Sequence, residues 1–318
     1  MSKKDYRVRN WREYNEALVQ RGSITFWFDE ETIKNWHVKK LEKSRGRPEL
    51  YSRYAIQCAL IIKSVFKLTL RGVEGFIRSV IKREGLALQT PDYTTLCKRR
   101  GGLEVDLSIG KLKNKEGLHI VIDSTGLKVF GEGEWKVRKH GYTKKRTWMK
   151  LHLAINSETQ AIEASCLTKA GVQDCQALPG LLNEITSPIK KMVGDGAYDR
   201  FSCYEEAVKR GSEGIFPPQH NARTSSERPR NKKRASIEAI KRRDDTIIKV
   251  RELGLKCWKE NVGYHRRSLA ETGMFRIKTL LGSNLTARRI ENQQVEVKIR
   301  CCVLNKLSTL GMPKTETI

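Results

Sequence analysis

Leu118-His-Ile-Val-Ile-Asp123 is a short apolar run rich in β-branched residues, and it opens an alternation that few folds accommodate. It reads as a buried strand closing on Asp123. Trp148 to Ile155 then alternates, with Trp148, Lys150, His152 and Ala154 against Met149, Leu151, Leu153 and Ile155. That is the mark of a half-buried strand. Asn156-Ser-Glu-Thr-Gln160 is a turn, and Ala161 to Thr168 a third strand. Asp174 caps a helix that runs through Ile185. Ile189-Lys-Lys-Met-Val-Gly194 is a fourth strand, closing on Asp195. Phe201 to Arg210 is a helix, and Gly214-Ile-Phe216 a fifth short strand. Three antiparallel strands followed by alternating helix and strand predict an α/β domain, a mixed sheet with helices on its faces.

That order resembles the ribonuclease-H-like fold, which many metal-dependent nucleases share. Fold alone does not settle function. Upstream the pattern is helical. Residues 1–50 are polar, basic and Trp-rich. Ala55, Ile56, Ala59, Leu60, Ile62, Val65 and Phe66 recur at helix spacing, as do Leu70, Val73, Phe76, Ile77, Val80 and Ile81. Gly85 ends the second helix. A third, short helix capped by Asp92 ends in Lys98-Arg99-Arg100. Three such helices predict an all-α, helix-turn-helix-like domain with those basic residues on DNA. A plain bundle with a basic surface explains the pattern as well. The expected division is 1–112 for this domain and 113–318 for the sheet domain. The second includes a basic insertion at about 217–250 and a C-terminal helix at about 295–310 packed on the sheet domain's core.

Of the chain's 318 residues, 62 are Lys or Arg and 36 Asp or Glu, a net charge of +26. Such a chain attracts polyanions, and phosphate contacts supply most non-specific DNA affinity. No apolar run approaches the ~20 residues that span a bilayer. The N-terminus has no apolar signal region, so the expected place is the cytoplasm, with no membrane partner. Eight scattered cysteines with no C-x-x-C pair speak against a zinc finger or a disulfide scaffold.

The chemistry begins with the carboxylates. A strand end fixes a side chain while the next loop leaves it open. The first and fourth strands of a mixed sheet can lie side by side, so Asp123 and Asp195 would face each other. Like charges at that range are costly without a cation between them, and Mg²⁺ prefers carboxylate oxygens. Read alone, either Asp is as well explained as a turn cap. A third carboxylate lies in Gly263-Tyr264-His-Arg-Arg267-Ser-Leu-Ala-Glu271, with Lys278 seven residues on. At about 100° per residue, Tyr264, Arg267, Glu271 and Lys278 share one helix stripe about 60° wide. Glu271 could complete a metal site, Arg267 and Lys278 hold phosphates, and Tyr264 meet a base or backbone. A solvated face with an Arg–Glu pair at i, i+4 has the same composition. Asp174, Asp199, Glu252 and Glu260 are weaker candidates. His140, His152 and Trp258 read as structural.

Tyr-x2-Arg-x3-Glu-x6-Lys resembles the signature of DDE transposases from bacterial insertion sequences, in the superfamily joining the fourth and fifth groups and closest to the fifth. Five further blocks agree: Leu70-Arg-Gly-Val-Glu-Gly-Phe76, Pro91-Asp-Tyr-Thr-Thr95, Val121-Ile-Asp-Ser-Thr-Gly126, Arg138-Lys-His-Gly141 and Gly194-Asp-Gly-Ala-Tyr-Asp199. The resemblance runs from about residue 45 to residue 307. It implies that Asp123, Asp195 and Glu271 are catalytic and hold two Mg²⁺ (or Mn²⁺) ions about 3.5–4 Å apart. It also implies double-stranded DNA as partner, both as terminal inverted repeats and as target, and a homodimer or larger assembly on that DNA near the bacterial nucleoid. The reaction would be strand cleavage followed by strand transfer. A same-fold nuclease or a non-enzymatic DNA-binding repressor is the alternative.

Overall fold

The computed structural model describes residues 6–39, 48–107, 117–129, 148–227 and 235–317. Two compact units emerge: Met1–Lys111 with Arg289–Ile318, and Leu112–Arg288. The first opens with strand β1 (Tyr6–Val8) and helices α1 (Trp11–Gln20), α2 (Ile24–Trp27) and α3 (Glu30–Lys34). Helices α4 (Arg53–Val65), α5 (Leu70–Arg83) and α6 (Tyr93–Arg99) follow. Each of these three starts on a side-chain oxygen that satisfies free backbone N–H groups. Ser52 accepts from Ala55, Thr69 from Gly72, and Asp92 from both Thr94 and Thr95. Ile56, Ile62, Ile77 and Leu96 are fully buried between the helices. Trp27 and Trp36 are buried too, their indoles donating to the carbonyls of Arg21 (2.8 Å) and Gln89 (2.7 Å). Trp27 and Trp36 are therefore core, since a buried indole N–H needs such a partner, whereas Trp11 is exposed.

The second unit is a five-stranded mixed sheet. Its strands are β2 (Leu118–Lys128), β3 (Trp148–Asn156), β4 (Ile162–Lys169), β5 (Ile189–Val193) and β6 (Glu213–Ile215). The order is β4-β3-β2-β5-β6. The first three strands pair antiparallel, and β5 and β6 run parallel to β2. Helices α7 (Asp174–Asn183) and α8 (Phe201–Lys209) connect the later strands. Alternate residues of β2 point to opposite faces. Leu118, Ile120 and Ile122 join one core with Leu178, Leu181, Tyr204 and Phe216. The helices α9 (Ile237–Leu253), α10 (Leu255–Asn261) and α11 (Ser268–Leu281) follow, and α11 packs against β2 and β3. A Cβ on Gly273 of α11 would lie 2.4 Å from Ile155 Cδ1, so that helix sits directly on the sheet.

The structure corrects several expectations. β2 does not close on Asp123 but continues to Lys128, because Ser124 to Lys128 stay paired with β3. Asp123 is mid-strand, opposite Leu153. Asp174 is the first residue inside α7, not its cap. The cap is Gln173, and Asp174 instead meets Lys150 Nζ at 3.2 Å. The basic insertion contains α9, pinned by a buried Arg243–Asp199 ion pair. The C-terminal helix α12 (Ile290–Leu310) belongs to the first unit, not to the sheet domain. Its Asn305 donates to the Leu107 carbonyl at 3.1 Å, and Lys306 to Asp29 at 2.7 Å. After it, β7 (Thr315–Thr317) pairs antiparallel with β1, so that unit is not purely helical.

Candidate active site

Adjacent strands align the two aspartates. The parallel β2–β5 register ends at Val121↔Val193, and Asp123 and Asp195 each lie two residues beyond it. Asp123 accepts from the Ser124 amide at 2.8 Å. Asp195 caps the 3₁₀ turn Gly196–Tyr198, accepting from Ala197 N at 2.9 Å. Gly194 before it has no room for a Cβ, which would lie 2.7 Å from the Tyr198 ring. That ring and Phe216 pack down on the backbone and set where Asp195 emerges.

The third carboxylate comes from α11. Tyr264–Arg267 form a 3₁₀ turn, and the α-helix begins only at Ser268. The expected continuous α-helix is thus broken at its start, yet a 3₁₀ turn repeats every ~3 residues, so Tyr264 and Arg267 still share a side. Arg267 Nη1 donates to Glu271 Oε1 at 2.5 Å, and Nη2 approaches Asp123 Oδ2 at 3.5 Å. Lys278 Nζ donates to Thr125 Oγ1 at 2.5 Å, tying the far end of the stripe to β2.

The electrostatics report the same cluster. Burial raises the Asp123 carboxyl above its usual range. The Ser124 amide and Arg267 oppose that shift, while Asp195 and Glu271 add to it. Burial pushes the Tyr264 phenol up to about 12, with Asp195, Asp123 and Glu271 adding to the rise against Arg267. Four of the charged groups anticipated from sequence therefore act on one tyrosine.

Family models for the transposase DDE domain match residues 19–132 and 114–306. The chain belongs to the DDE transposase family. An uncharacterized protein of Aquifex aeolicus (strain VF5) is 28% identical over 202 residues, 57% of this chain and 59% of that relative's length. The chain thus matches well under two thirds of that relative. The solved synaptic complex of piggyBac transposase with hairpin DNA aligns over 96% of this chain and 76% of its own, at 11% identity and a TM-score of 0.39. That likeness is too loose to carry an argument.

Other sequence candidates fall elsewhere in this DDE transposase-family chain. Asp199 is buried and bound to Arg243, so it is committed to structure. Buried Trp258 stands 6.4 Å from the Tyr264 ring, a packing role. Buried His152 bonds Thr168 Oγ1 at 2.8 Å, also a structural role. Arg138-Lys-His-Gly141, with His140, lies outside the described residues. In the first unit Arg99 donates to Glu49 at 2.6 Å and to the Tyr51 carbonyl, a clasp within its own fold. Lys98 is exposed and Arg100 half-buried. Sequence reasoning missed Thr125 as the anchor of Lys278. It also missed a groove of about 370 Å³ lined by His119, Lys191, His265 and Arg266, among others. The signal was there: His119 and Lys191 lie on neighbouring strands, and each precedes an aspartate by four residues. No described helix is long and apolar enough to cross a membrane.

Proposed function

We propose that this chain is a transposase that cuts DNA at the terminal inverted repeats of an insertion sequence and joins the freed 3′ end to target DNA. The observation that carries this reading is convergence. Asp123 and Asp195 each lie two residues beyond the last parallel pair of adjacent strands, and Arg267 links Asp123 to Glu271. Asp123, Asp195 and Glu271 are the catalytic set in this reading. The strand order β4-β3-β2-β5-β6 with one antiparallel half supports a ribonuclease-H-like assignment.

Among the described residues no three His, Cys, Asp or Glu side chains are grouped closely enough to hold a metal ion together. The Arg267 guanidinium takes up two of the three carboxylates. The donor chemistry nonetheless fits: all three are hard carboxylate oxygens, the set that Mg²⁺ or Mn²⁺ takes. Bound divalent cations would supply Lewis acidity at the attacking and leaving oxygens. The chain's own residues do the rest. Asp123 is held by its pairing with β3 and by the Ser124 amide, and Asp195 by the turn that it caps. Lys278 and Arg267 would offer cations to DNA phosphates. Tyr264 keeps its phenol proton at neutral pH and can donate it to a phosphate or stack on a base.

The first unit then grips the inverted repeats, with Lys98 as a phosphate contact. Its helix-turn-helix character would rest on α5 and α6, which residues 84–92 separate. That connection is longer than the ~3–4 residues such motifs use. A homodimer follows from the need to join two ends at once.

The test is strand transfer in vitro. Protein, Mg²⁺ and a labelled duplex carrying a candidate repeat are incubated with supercoiled plasmid, beside Asp123→Ala, Asp195→Ala and Glu271→Ala. Joined label in wild type, with all three variants binding but not joining, supports the reading. Cutting without joining points to a nuclease. Binding alone, equal in the variants, points to a repressor.

A further inference from the structure

We propose that Arg267 is the resident counter-ion of the carboxylate site, so that a divalent cation binds there only by displacing it and thereby hands the guanidinium to a DNA phosphate. The inference rests on the reading that Asp123, Asp195 and Glu271 hold metal. It adds that metal loading and phosphate binding are coupled through one side chain.

The geometry points this way. The planar guanidinium spans two carboxylates from different elements, Glu271 Oε1 at 2.5 Å on Nη1 and Asp123 Oδ2 at 3.5 Å on Nη2. These are the oxygens a cation would need. An oxygen lone pair committed to the guanidinium is closed to a metal ion for as long as that bond lasts. The arrangement is also incomplete. Arg267 Nε is buried without a hydrogen-bond partner, and the side chain is 23% exposed. A buried donor left unmade is costly, so the guanidinium sits in a position it can improve on leaving. Its backbone lies at the junction of the 3₁₀ turn and α11, one helical turn before Glu271. A freed fork there matches a phosphate bidentately. Coupling of this kind is reciprocal: a phosphate that takes Arg267 also releases the carboxylates to the metal.

The experiment is Mn²⁺ titration of the full-length protein by electron paramagnetic resonance, with no turnover involved. Wild type, Arg267→Gln, Arg267→Lys and Asp123→Asn are compared, each checked for folding by circular dichroism. Arg267→Gln should lower the Mn²⁺ Kd about 10-fold. Arg267→Lys, whose ammonium cannot span both carboxylates, should fall between. Adding a short DNA duplex should tighten Mn²⁺ binding to wild type and leave Arg267→Gln nearly unchanged. Equal or weaker binding by Arg267→Gln overturns the inference. Should that variant misfold, Arg267→Lys decides on the same criterion. Equal Mn²⁺ binding by wild type and Asp123→Asn would instead remove the metal-site reading itself, whatever the Arg267 variants do.

Discussion

Arg243 closes a bidentate ion pair on Asp199, Nε to Oδ1 at 2.7 Å and Nη2 to Oδ2 at 2.8 Å, with both side chains almost wholly buried. The pair joins α9 to the loop that leaves Asp195, and Arg243 also packs on the Phe201 ring at 4.9 Å. Removing one partner strands a buried charge. Arg243→Ala should therefore cost about 3–5 kcal/mol of stability, read from chemical denaturation. Arg243→Met with Asp199→Leu should cost clearly less, because no charge is left alone.

His152 carries a pH dependence. Burial holds its imidazole down, to about 4 from 6.5, with Lys150 adding and Asp174 opposing. The folded state thus resists the proton that the unfolded chain accepts between those values. Stability is full above pH 6.5, falls as pH drops through the window, and levels off below about 4. The loss is at most about 3 kcal/mol. His152→Gln should flatten this part of the curve when denaturation midpoints are compared from pH 7 to pH 4. A wild-type curve no steeper than the variant's would contradict the assignment.

Gly273 sets the distance between α11 and the sheet. Gly273→Ala places a methyl 2.4 Å from Ile155 Cδ1, in a fully buried layer. Overpacking there should destabilise by about 1–3 kcal/mol. Ile155→Val removes the opposing methyl. The double variant should therefore recover part of the loss, a coupling that a double-mutant cycle reads directly. Additive losses would mean that the helix simply shifts.

These three sites show where the sequence was readable. Local signals worked where the cause was local. Asp92 caps α6 because its carboxylate reaches amides two and three residues on, and Ile189 to Val193 is a strand because it is short, apolar and bounded by turns. Failures came where the cause was distant. Ser124 to Lys128 has no apolar run and is a strand only because β3 pairs with it. α12 has buried residues all round, including Asn292, Gln293, Arg300 and Asn305, so no stripe announced which core it joins. Tyr6–Val8 meets Thr315–Thr317 across nearly the whole chain. In the candidate site, spacing put Tyr264, Arg267, Glu271 and Lys278 on one stripe that fits a solvated face equally well, whereas the bridging posture of Arg267 needed two elements in place.

Lys98 and Arg99 are neighbours in sequence with opposite expected behaviour. Both end the short helix α6, and composition alone puts both on DNA. Arg99 is already bound, to the Glu49 carboxylate and the Tyr51 carbonyl, and so holds the chain before α4 against α6. Lys98 is exposed. Lys98→Ala should leave the melting temperature unchanged and weaken duplex binding similarly for all sequences, lowering the slope of log K against log salt by about 1. Arg99→Ala should instead lower the melting temperature. The clasp is partly solvent-exposed, and its Glu49 half contributes about 0–1 kcal/mol. The lost bond to the Tyr51 carbonyl adds about 1 kcal/mol more. Fluorescence anisotropy across a salt series, beside thermal melts of both variants, separates the two roles. A salt slope unchanged by Lys98→Ala would take this helix end off the DNA.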